Sequence, residues 1–98
     1  MVQYTIMQWT VIYSRKAAKQ RQRLPIKVQA ILDALILDIQ NNGPVRGNWS
    51  NYSKLSGPNH HCHLKKGNPT FVAIWREANK EIKIVEFTYA GTHEKAPY

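Results

Sequence analysis

The sequence predicts an α+β domain of two layers, in which an antiparallel sheet packs against two N-terminal helices. Three observations predict this fold class. The expected elements follow the order β-α-α-β-β-β. The last strands are joined by short turns, and hairpin-linked strands pair antiparallel, which leaves both helices to cover one face of the sheet. The chain of 98 residues can bury one modest core, so we expect a single domain over residues 1–98.

The first half of the chain is predicted to form one strand and two helices. Alternating apolar residues indicate a strand over residues 3–13, and its apolar face consists of Met7, Trp9, Val11 and Tyr13. Ser14 is a favourable N-cap for a basic helix over residues 15–24. Pro25 separates it from a second helix, which ends near Gly43 and has a buried stripe at helical spacing: Val28, Ile31, Leu32, Leu35 and Ile39.

The second half of the chain is predicted to form strands and turns. Residues 44–59 are rich in Gly, Asn and Ser, which indicates a loop with a short extended piece at residues 52–55. Strands are then predicted over residues 59–65, 70–77 and 82–89. The middle one of these strands is apolar on both faces, which favours a central position in the sheet.

The net charge is the most informative property of the composition. Fourteen Lys and Arg residues stand against six Asp and Glu residues, which gives a net charge of +8. This excess favours an anionic partner over a merely soluble basic domain, with nucleic acid as the first candidate and an acidic protein as the second.

Other features of the sequence favour a cytoplasmic protein. It has no apolar run near the ~20 residues that span a bilayer, so we expect no membrane contact. The amino terminus lacks the basic region, apolar core and cleavage site of a secretory signal. Cys62 is the single cysteine, which fits a reducing compartment because it cannot form an internal disulfide.

A histidine-rich stretch in the middle of the chain is the first candidate for chemistry. His60, His61 and His63 lie close together, which is unusual because histidine is only an intermediate core residue. Successive side chains of a strand point to opposite faces, so His61, His63 and Lys65 should share one face. The other face, where we expect packing, consists of His60, Cys62 and Leu64.

The end of the chain supplies a second cluster, and the hairpin topology should bring the two clusters together as one RNA-cleaving site. Cleavage without a metal requires a base for the 2′-hydroxyl, an acid for the leaving 5′-oxygen and cations for the phosphate. Imidazole suits proton transfer because its pKa of about 6.5 lies near neutrality. The candidates for proton transfer are His61, His63 and His93, with Tyr98 as a phenolic donor or an aromatic platform for a base. The candidates for phosphate binding are Lys54, Lys65, Lys66, Arg76 and Lys95.

Two other kinds of site are weaker interpretations of the same residues. His61, His63 and His93 could bind zinc, but the sequence has no second cysteine and neither a Cys-x-x-Cys nor a His-Glu-x-x-His motif. We therefore expect no metal and no cofactor. Cys62 should point away from the flanking histidines, so the strand forms no thiolate–imidazole pair.

Several short motifs occur in an order and spacing that carry a family resemblance. They are Val11-Ile12-Tyr13-Ser14, Ala17-Ala18-Lys19, Trp49, Lys54-Leu55-Ser56-Gly57, His61-Cys62-His63-Leu64, the apolar strand at 71–75 and Gly91-Thr92-His93. With them, nearly the whole chain resembles the RelE/ParE superfamily of toxin–antitoxin toxins, specifically the RelE-like and YafQ-like mRNA interferases. The resemblance implies the RelE-like fold and a ribosome-dependent endoribonuclease that cuts mRNA in the decoding site. It also implies a cognate antitoxin, which neutralises the toxin in a hetero-oligomer.

The resemblance also implies roles for individual residues. His63 matches a functional histidine of YafQ-like members, and His93 matches their general acid, a place held by arginine in RelE itself. Tyr98 lies close to the terminal aromatic residue that RelE-like toxins use at the scissile nucleotide. His61 and His63 fall where RelE has two phosphate-binding lysines, so that task would pass to the lysines that follow them.

Departures from the family pattern leave alternatives open. The strand-start arginine of RelE aligns near Thr70, and the acidic residue that YafQ-like members carry after the middle histidine is absent, so the base is either His63 or Tyr98. A ParE-like toxin that binds DNA gyrase without cleaving RNA is a second interpretation, and an inactive antitoxin-binding module is a third. The histidine-rich face argues against the gyrase binder, because binding alone does not need groups that titrate near neutrality.

Overall fold

The computed structural model describes residues 8–98, so the part of the predicted first strand before residue 8, with Met7, lies outside the described residues. The elements are β1 (Thr10–Tyr13), α1 (Arg15–Arg23), α2 (Ile26–Asn42), β2 (Ser53–Lys54), β3 (Asn59–Lys65), β4 (Phe71–Asn79), β5 (Ile84–Thr92) and a 3₁₀ turn, His93–Lys95. The predicted order of helices and strands is confirmed, and the short extended piece in the long loop is β2.

The two helices form where local signals and apolar spacing agree. Ser14 caps α1, since its Oγ accepts a hydrogen bond from the Ala17 N–H at 3.1 Å. Four of the five predicted stripe residues of α2 are fully buried, and Ile31 packs against them at the margin. Within residues 8–98, neither helix is long and apolar enough to cross a membrane.

Helix α2 ends at a glycine, as the sequence predicts. Gly43 follows the last helical residue with a φ of +91°, and its N–H donates to the Ile39 carbonyl at 2.8 Å. A side chain at this position would also meet Trp9, because a Cβ on Gly43 would lie 3.1 Å from the indole Nε1. The glycine therefore lets the end of α2 approach the chain entering β1.

The five strands form one sheet in the order β1-β5-β4-β3-β2. Strands β2 to β5 pair antiparallel, as expected for hairpin connections, and β4 is central as its apolar faces predict. Strand β1 differs, because it pairs parallel to β5 from Thr10 opposite Ile84 to Tyr13 opposite Phe87. The sheet is therefore mixed, and the predicted fully antiparallel sheet is correct only for the strands that short turns connect.

Both α-helices cover the same face of the sheet, and in the described part of the chain no α-helix covers the other face. The main core lies between helices and sheet, and it contains the stripe of α2 together with Cys62, Leu64, Trp75 and Phe87. Trp9, Val11 and Tyr13 pack against this core, which confirms the predicted inward face of the first strand for these residues. A smaller apolar cluster lies on the opposite face, and its members are Val72, Ile74 and Tyr89, with Leu55 and Ala96 beside them. We call this opposite face the open face.

Candidate active site

Strand β3 divides its side chains between the two faces of the sheet. Cys62 is fully buried in the main core and Leu64 is nearly so, whereas His61 and His63 point to the open face. This alternation is the one predicted for an extended strand. His60 is also fully buried, where its ring stacks on Trp75 with centroids 5.8 Å apart.

A β-bulge ends the alternation after His63. The register shifts between His63 and Lys65, so that Lys65 pairs with Phe71, a residue that packs against the main core. The prediction that Lys65 shares a face with the two histidines is therefore wrong. Lys66 is the ammonium whose charge acts on His63 and contributes to lowering its pKa, although burial is the larger cause.

The carboxy-terminal residues reach the same place across the central strand. Val72 of β4 pairs with His63 on one side and with Gly91 on the other. His93 follows two residues after Gly91, and its backbone N–H donates to the Thr70 carbonyl at 2.8 Å. The 3₁₀ turn that begins at His93 then returns the end of the chain over the open face.

Four aromatic side chains from these two stretches contact one another edge to face. The ring centroids are 5.6 Å apart for His63 and His93, and 5.9 Å apart for His61 and His63. The ring centroid of Tyr98 lies 4.8 Å from that of His61 and 5.7 Å from that of His93, so each of the four rings contacts two others. We call His61, His63, His93 and Tyr98 the imidazole cluster. The structure thus brings together residues that are 30 or more positions apart in the sequence.

The members of the imidazole cluster differ in exposure and in hydrogen bonding. His61 is nearly buried, and its Nδ1 lies 3.0 Å from the Ser53 hydroxyl. His63 is partly buried, and among the described residues its buried Nδ1 has no hydrogen-bond partner. His93 is exposed, and Tyr98 is 48% exposed. The cluster therefore has an inner pair held in the sheet and an outer pair open to solvent.

Burial and neighbouring charge shift the pKa of two members of this cluster, His63 and Tyr98. Burial lowers the pKa of His63 from its ordinary value, and the charges of His61, His93 and Lys66 lower it further. Burial raises the pKa of the Tyr98 phenol, with smaller contributions from Tyr89 and Cys62. At neutral pH, His63 is therefore a neutral imidazole that can accept a proton, whereas Tyr98 retains its proton.

The predicted phosphate-binding residues differ in where their side chains are held. Lys95 belongs to the 3₁₀ turn that contains His93. Lys54 pairs with His60 across β2 and β3, so the pleat directs it towards the helix side rather than the open face. Arg76 is held in an ion pair, because its Nε lies 2.9 Å from a carboxylate oxygen of Glu86. Of the predicted cations, Lys66 is thus the one whose charge acts on the imidazole cluster, whereas Lys95 lines a neighbouring cleft.

Two hollows on the open face flank the imidazole cluster. One, of about 260 Å³, lies beside His63 and His93 and is closed by the 67–70 turn and Glu94. The other, of about 230 Å³, lies on the far side of Tyr98 over Leu55 and Ile74. The two hollows therefore lie on different sides of the imidazole cluster.

Sequence reasoning missed several residues that position the cluster. Ser53 bonds the His61 ring, and the Ser50 carbonyl accepts a hydrogen bond from the His63 N–H at 2.8 Å. The Tyr89 hydroxyl donates to the Thr92 carbonyl at 2.7 Å and so fixes the start of the 3₁₀ turn. Gly91 makes room for this ring. The sequence does contain one signal for this arrangement, the glycine two residues before His93, because glycine in a strand often marks a close approach of another group to the backbone.

The structure also bears on the two weaker interpretations of the sequence, a cysteine nucleophile and a zinc site. Burial raises the pKa of the Cys62 thiol to about 12, so this cysteine has no thiolate character at neutral pH. Among residues 8–98, no group of three or more His, Cys, Asp and Glu side chains is arranged to hold a metal ion. The imidazole cluster itself supplies three imidazoles and a phenol for chemistry on the open face.

The architecture is a two-layer α+β fold with two helices on one face of a five-stranded sheet. It is similar to the archaeal RelE–RelB complex from Pyrococcus horikoshii OT3, with a TM-score of 0.61, 13% sequence identity, and coverage of 92% of this chain and 100% of that chain. It is also similar to the isolated E. coli RelE toxin, with a TM-score of 0.68, 13% identity, and coverage of 91% and 88%. The chain has the RelE fold, as the sequence resemblance implied. No protein-family model matches the chain, and no curated protein sequence matches it significantly.

Proposed function

We propose that this protein is the toxin of a toxin–antitoxin pair and that it cleaves mRNA through the 2′-hydroxyl, leaving a 2′,3′-cyclic phosphate. The observation that carries the proposal is the convergence of His63 and His93, with ring centroids 5.6 Å apart, on the open face. A RelE-like fold alone would support only a toxin-like architecture, because one fold hosts many functions.

The protonation of the cluster supports a division of roles between the histidines. His63, with its lowered pKa, is the general base that removes the proton from the 2′-hydroxyl. His93 is exposed at the start of the 3₁₀ turn and protonates the leaving 5′-oxygen as the general acid. Tyr98 keeps its proton because its pKa is raised, so it serves as a hydrogen-bond donor or stacking platform rather than as the base.

The surroundings of the imidazoles suit a single-stranded RNA. Lys66 places an ammonium group near His63, where it offsets charge on the phosphate, and His61 adds a contact from the sheet. The nucleosides on either side of the scissile phosphate occupy the two hollows of about 260 and 230 Å³. Lys65 and Lys54 contact more distant phosphates from the edge of the domain, and Arg76 contributes only if RNA displaces its ion pair with Glu86.

The expected macromolecular partners follow from the fold and the charge. The solved P. horikoshii counterpart is a RelE–RelB complex, which supports a cognate antitoxin as the partner of this chain. A net charge of +8 suits binding to mRNA within the ribosome, and it equally suits neutralisation by an acidic antitoxin. The protein thus alternates between an inhibited hetero-oligomer and a free, RNA-cleaving form.

Mapping of mRNA ends after induction in growing bacteria tests the proposal. The wild-type protein should generate new ends in phase with codons, and His63→Ala and His93→Ala should each lower cleavage by about 10²–10⁴-fold. Glu81→Ala, in the exposed β4–β5 turn, is the control and should cleave as the wild type does. Unchanged ends in both histidine variants would refute the assigned roles. Toxicity with a DNA-damage response and without new RNA ends would indicate a gyrase-binding toxin instead.

A further inference from the structure

A third cleft lies around the edge of the sheet from the imidazole cluster, between α1 and the end of β5. Its volume is about 410 Å³, which is within the size range of small-molecule and nucleotide sites. Its walls are Lys16, Gln20, Arg23, Leu24, Phe71, Tyr89, Ala90, Gly91, Thr92 and Lys95. The activity proposed for the imidazole cluster makes no use of this cleft.

The topology of the sheet opens this cleft. Strand β1 pairs with β5 only as far as Phe87, so within residues 8–98 no strand lies beside the edge of β5 beyond that residue. The side chain of Gln20 reaches this edge from α1, and its Oε1 accepts a hydrogen bond from the Ala90 N–H at 3.0 Å. Helix α1 is thereby fixed beside the strand, with a gap between them.

The charges that line the cleft are all positive. Lys16, Gln20 and Arg23 recur at the i, i+4, i+7 spacing of one helix face, and Lys95 approaches from the 3₁₀ turn. The three cations of the cleft are Lys16, Arg23 and Lys95, and none of them forms an ion pair among the described residues. By contrast, Arg21 of the same helix is paired with Asp33 at 2.8 Å. Three unpaired like charges around one cavity repel one another, and an anion bound between them would relieve that repulsion.

The remaining lining suits a nucleobase rather than a bare phosphate ion. Leu24 and Ala90 are buried, Phe71 is partly buried, and together they give the cleft an apolar floor beneath the cations. Combined basic and aromatic surfaces are the usual means of binding single-stranded RNA, in which bases stack and phosphates are neutralised.

The cleft is continuous with the imidazole cluster. Thr92 lines the cleft and directly precedes His93, and Lys95 lies two residues after His93 in the same 3₁₀ turn. Residues two positions apart in such a turn point to different sides, so the turn has His93 on the open face and Lys95 at the cleft. An RNA strand can therefore pass from one site to the other around this turn.

We propose that the cleft between α1 and β5 binds one nucleotide of the substrate RNA, next to those at the scissile phosphate. This inference rests on the proposed RNA cleavage. The cleft would set the length of RNA that the protein binds. It would also explain why the charged side chains of Lys16 and Arg23 occupy one face of α1. An acidic segment of a protein partner is the competing occupant, and the test below separates the two.

The test compares two doubly substituted proteins that lose the same charge. Lys16→Gln/Arg23→Gln removes two cations from the cleft, and Lys19→Gln/Lys27→Gln removes two exposed cations outside it. The probes are a hexaribonucleotide and a dinucleotide around the mapped cut, each with a 2′-deoxy sugar at the scissile position so that it cannot be cleaved. Each probe is presented free and in the decoding site of a programmed ribosome. Circular dichroism and thermal melting establish that both variants are folded.

We expect the cleft variant to bind the hexanucleotide at least about tenfold more weakly than the control variant, and the dinucleotide equally well. The slope of log K against log salt should fall by about 0.7 for the hexanucleotide, since the cleft holds one nucleotide and each lost phosphate contact on a single strand contributes about 0.7. Equal hexanucleotide binding by the two variants, with RNA cleavage by the wild type intact, would overturn the cleft proposal alone. If the wild type neither binds nor cleaves RNA, the proposed function and the cleft proposal both fail. Weaker binding of an acidic protein partner without weaker RNA binding would assign the cleft to that partner.

Discussion

The carboxylate of Asp38 should stabilise the protein by about 2 kcal/mol through the loop that supports the imidazole cluster. Its oxygens accept hydrogen bonds from the side chains of Asn42, Arg46, Asn48 and Trp49, at distances of 2.8 to 3.2 Å. These bonds hold the loop after α2 against the helix. The same loop provides the Ser50 carbonyl that binds the His63 N–H, so the support extends to the site.

The magnitude follows from the pKa of this carboxyl group. Burial alone would raise the pKa of Asp38, but the four hydrogen bonds outweigh it and lower the pKa from 3.8 to about 2. The side chain is only 21% exposed, so solvent screening is limited. The difference between 3.8 and about 2 corresponds to about 2 kcal/mol of stability, because each pKa unit corresponds to about 1.4 kcal/mol. Since the folded-state pKa is the lower one, this stability is fully present above pH 3.8 and is lost as the pH falls through about 2.

Thermal and urea unfolding of Asp38→Asn measures this contribution. At pH 7 the variant should lose about 2 kcal/mol, which is a fall in Tm of about 8–16 °C for a domain of this size. Asp33→Asn is the matched control on the same helix; its carboxylate is 55% exposed and pairs with Arg21, so it should lose no more than about 1 kcal/mol. The deficit of Asp38→Asn should shrink between pH 4 and pH 2. Equal stability of the two variants at pH 7 would refute the reasoning.

Three further predictions concern the site and the core behind it. Gly91→Ala should destabilise the protein by about 1–3 kcal/mol and lower RNA cleavage, because the added Cβ would lie 2.8 Å from the Tyr89 hydroxyl. Gly47→Ala is the control, since a Cβ there meets nothing within 4 Å, and equal melting temperatures of the two variants would contradict the prediction. The acidic limb of the kcat/KM profile should have its midpoint below pH 6.5, because the base His63 has a lowered pKa, and a midpoint above 6.5 would exclude it as that base. Native Cys62 should resist iodoacetamide at pH 8 and react once urea unfolds the chain, because burial raises its pKa to about 12. Mass spectrometry measures the labelling, and rapid labelling of the native protein would contradict its burial.

Much of the fold could be predicted because the local signals agree with the final packing. The Ser14 cap, the helical stripe of α2 and the alternation along β3 each specify one element and one buried face. Hairpin connections fix the pairing of β3, β4 and β5 for the same reason. The position of β1 could not be predicted, because its partner β5 lies more than 70 residues away and no local signal selects that edge.

The convergence of histidines could be predicted from topology, but which of the predicted cations lie beside them could not. A bulge between His63 and Lys65 depends on cross-strand packing, so the sequence pattern assigned Lys65 rather than Lys66 to the open face. The ion pair of Arg76 with Glu86 likewise depends on the register of two strands. The cleft beside α1 arises from the early end of β1, which leaves no mark in composition or spacing.

The most direct test of the central proposal replaces the leaving 5′-oxygen of the RNA with sulfur. A thiolate leaves without prior protonation because its pKa is far below that of an alcohol, so this substrate removes the need for a general acid but not for a base. Cleavage by His93→Ala should recover to within about tenfold of the wild type, whereas His63→Ala should remain impaired by about 10²-fold or more. Equal responses of the two variants, or recovery of His63→Ala alone, would contradict the proposed roles of these two histidines.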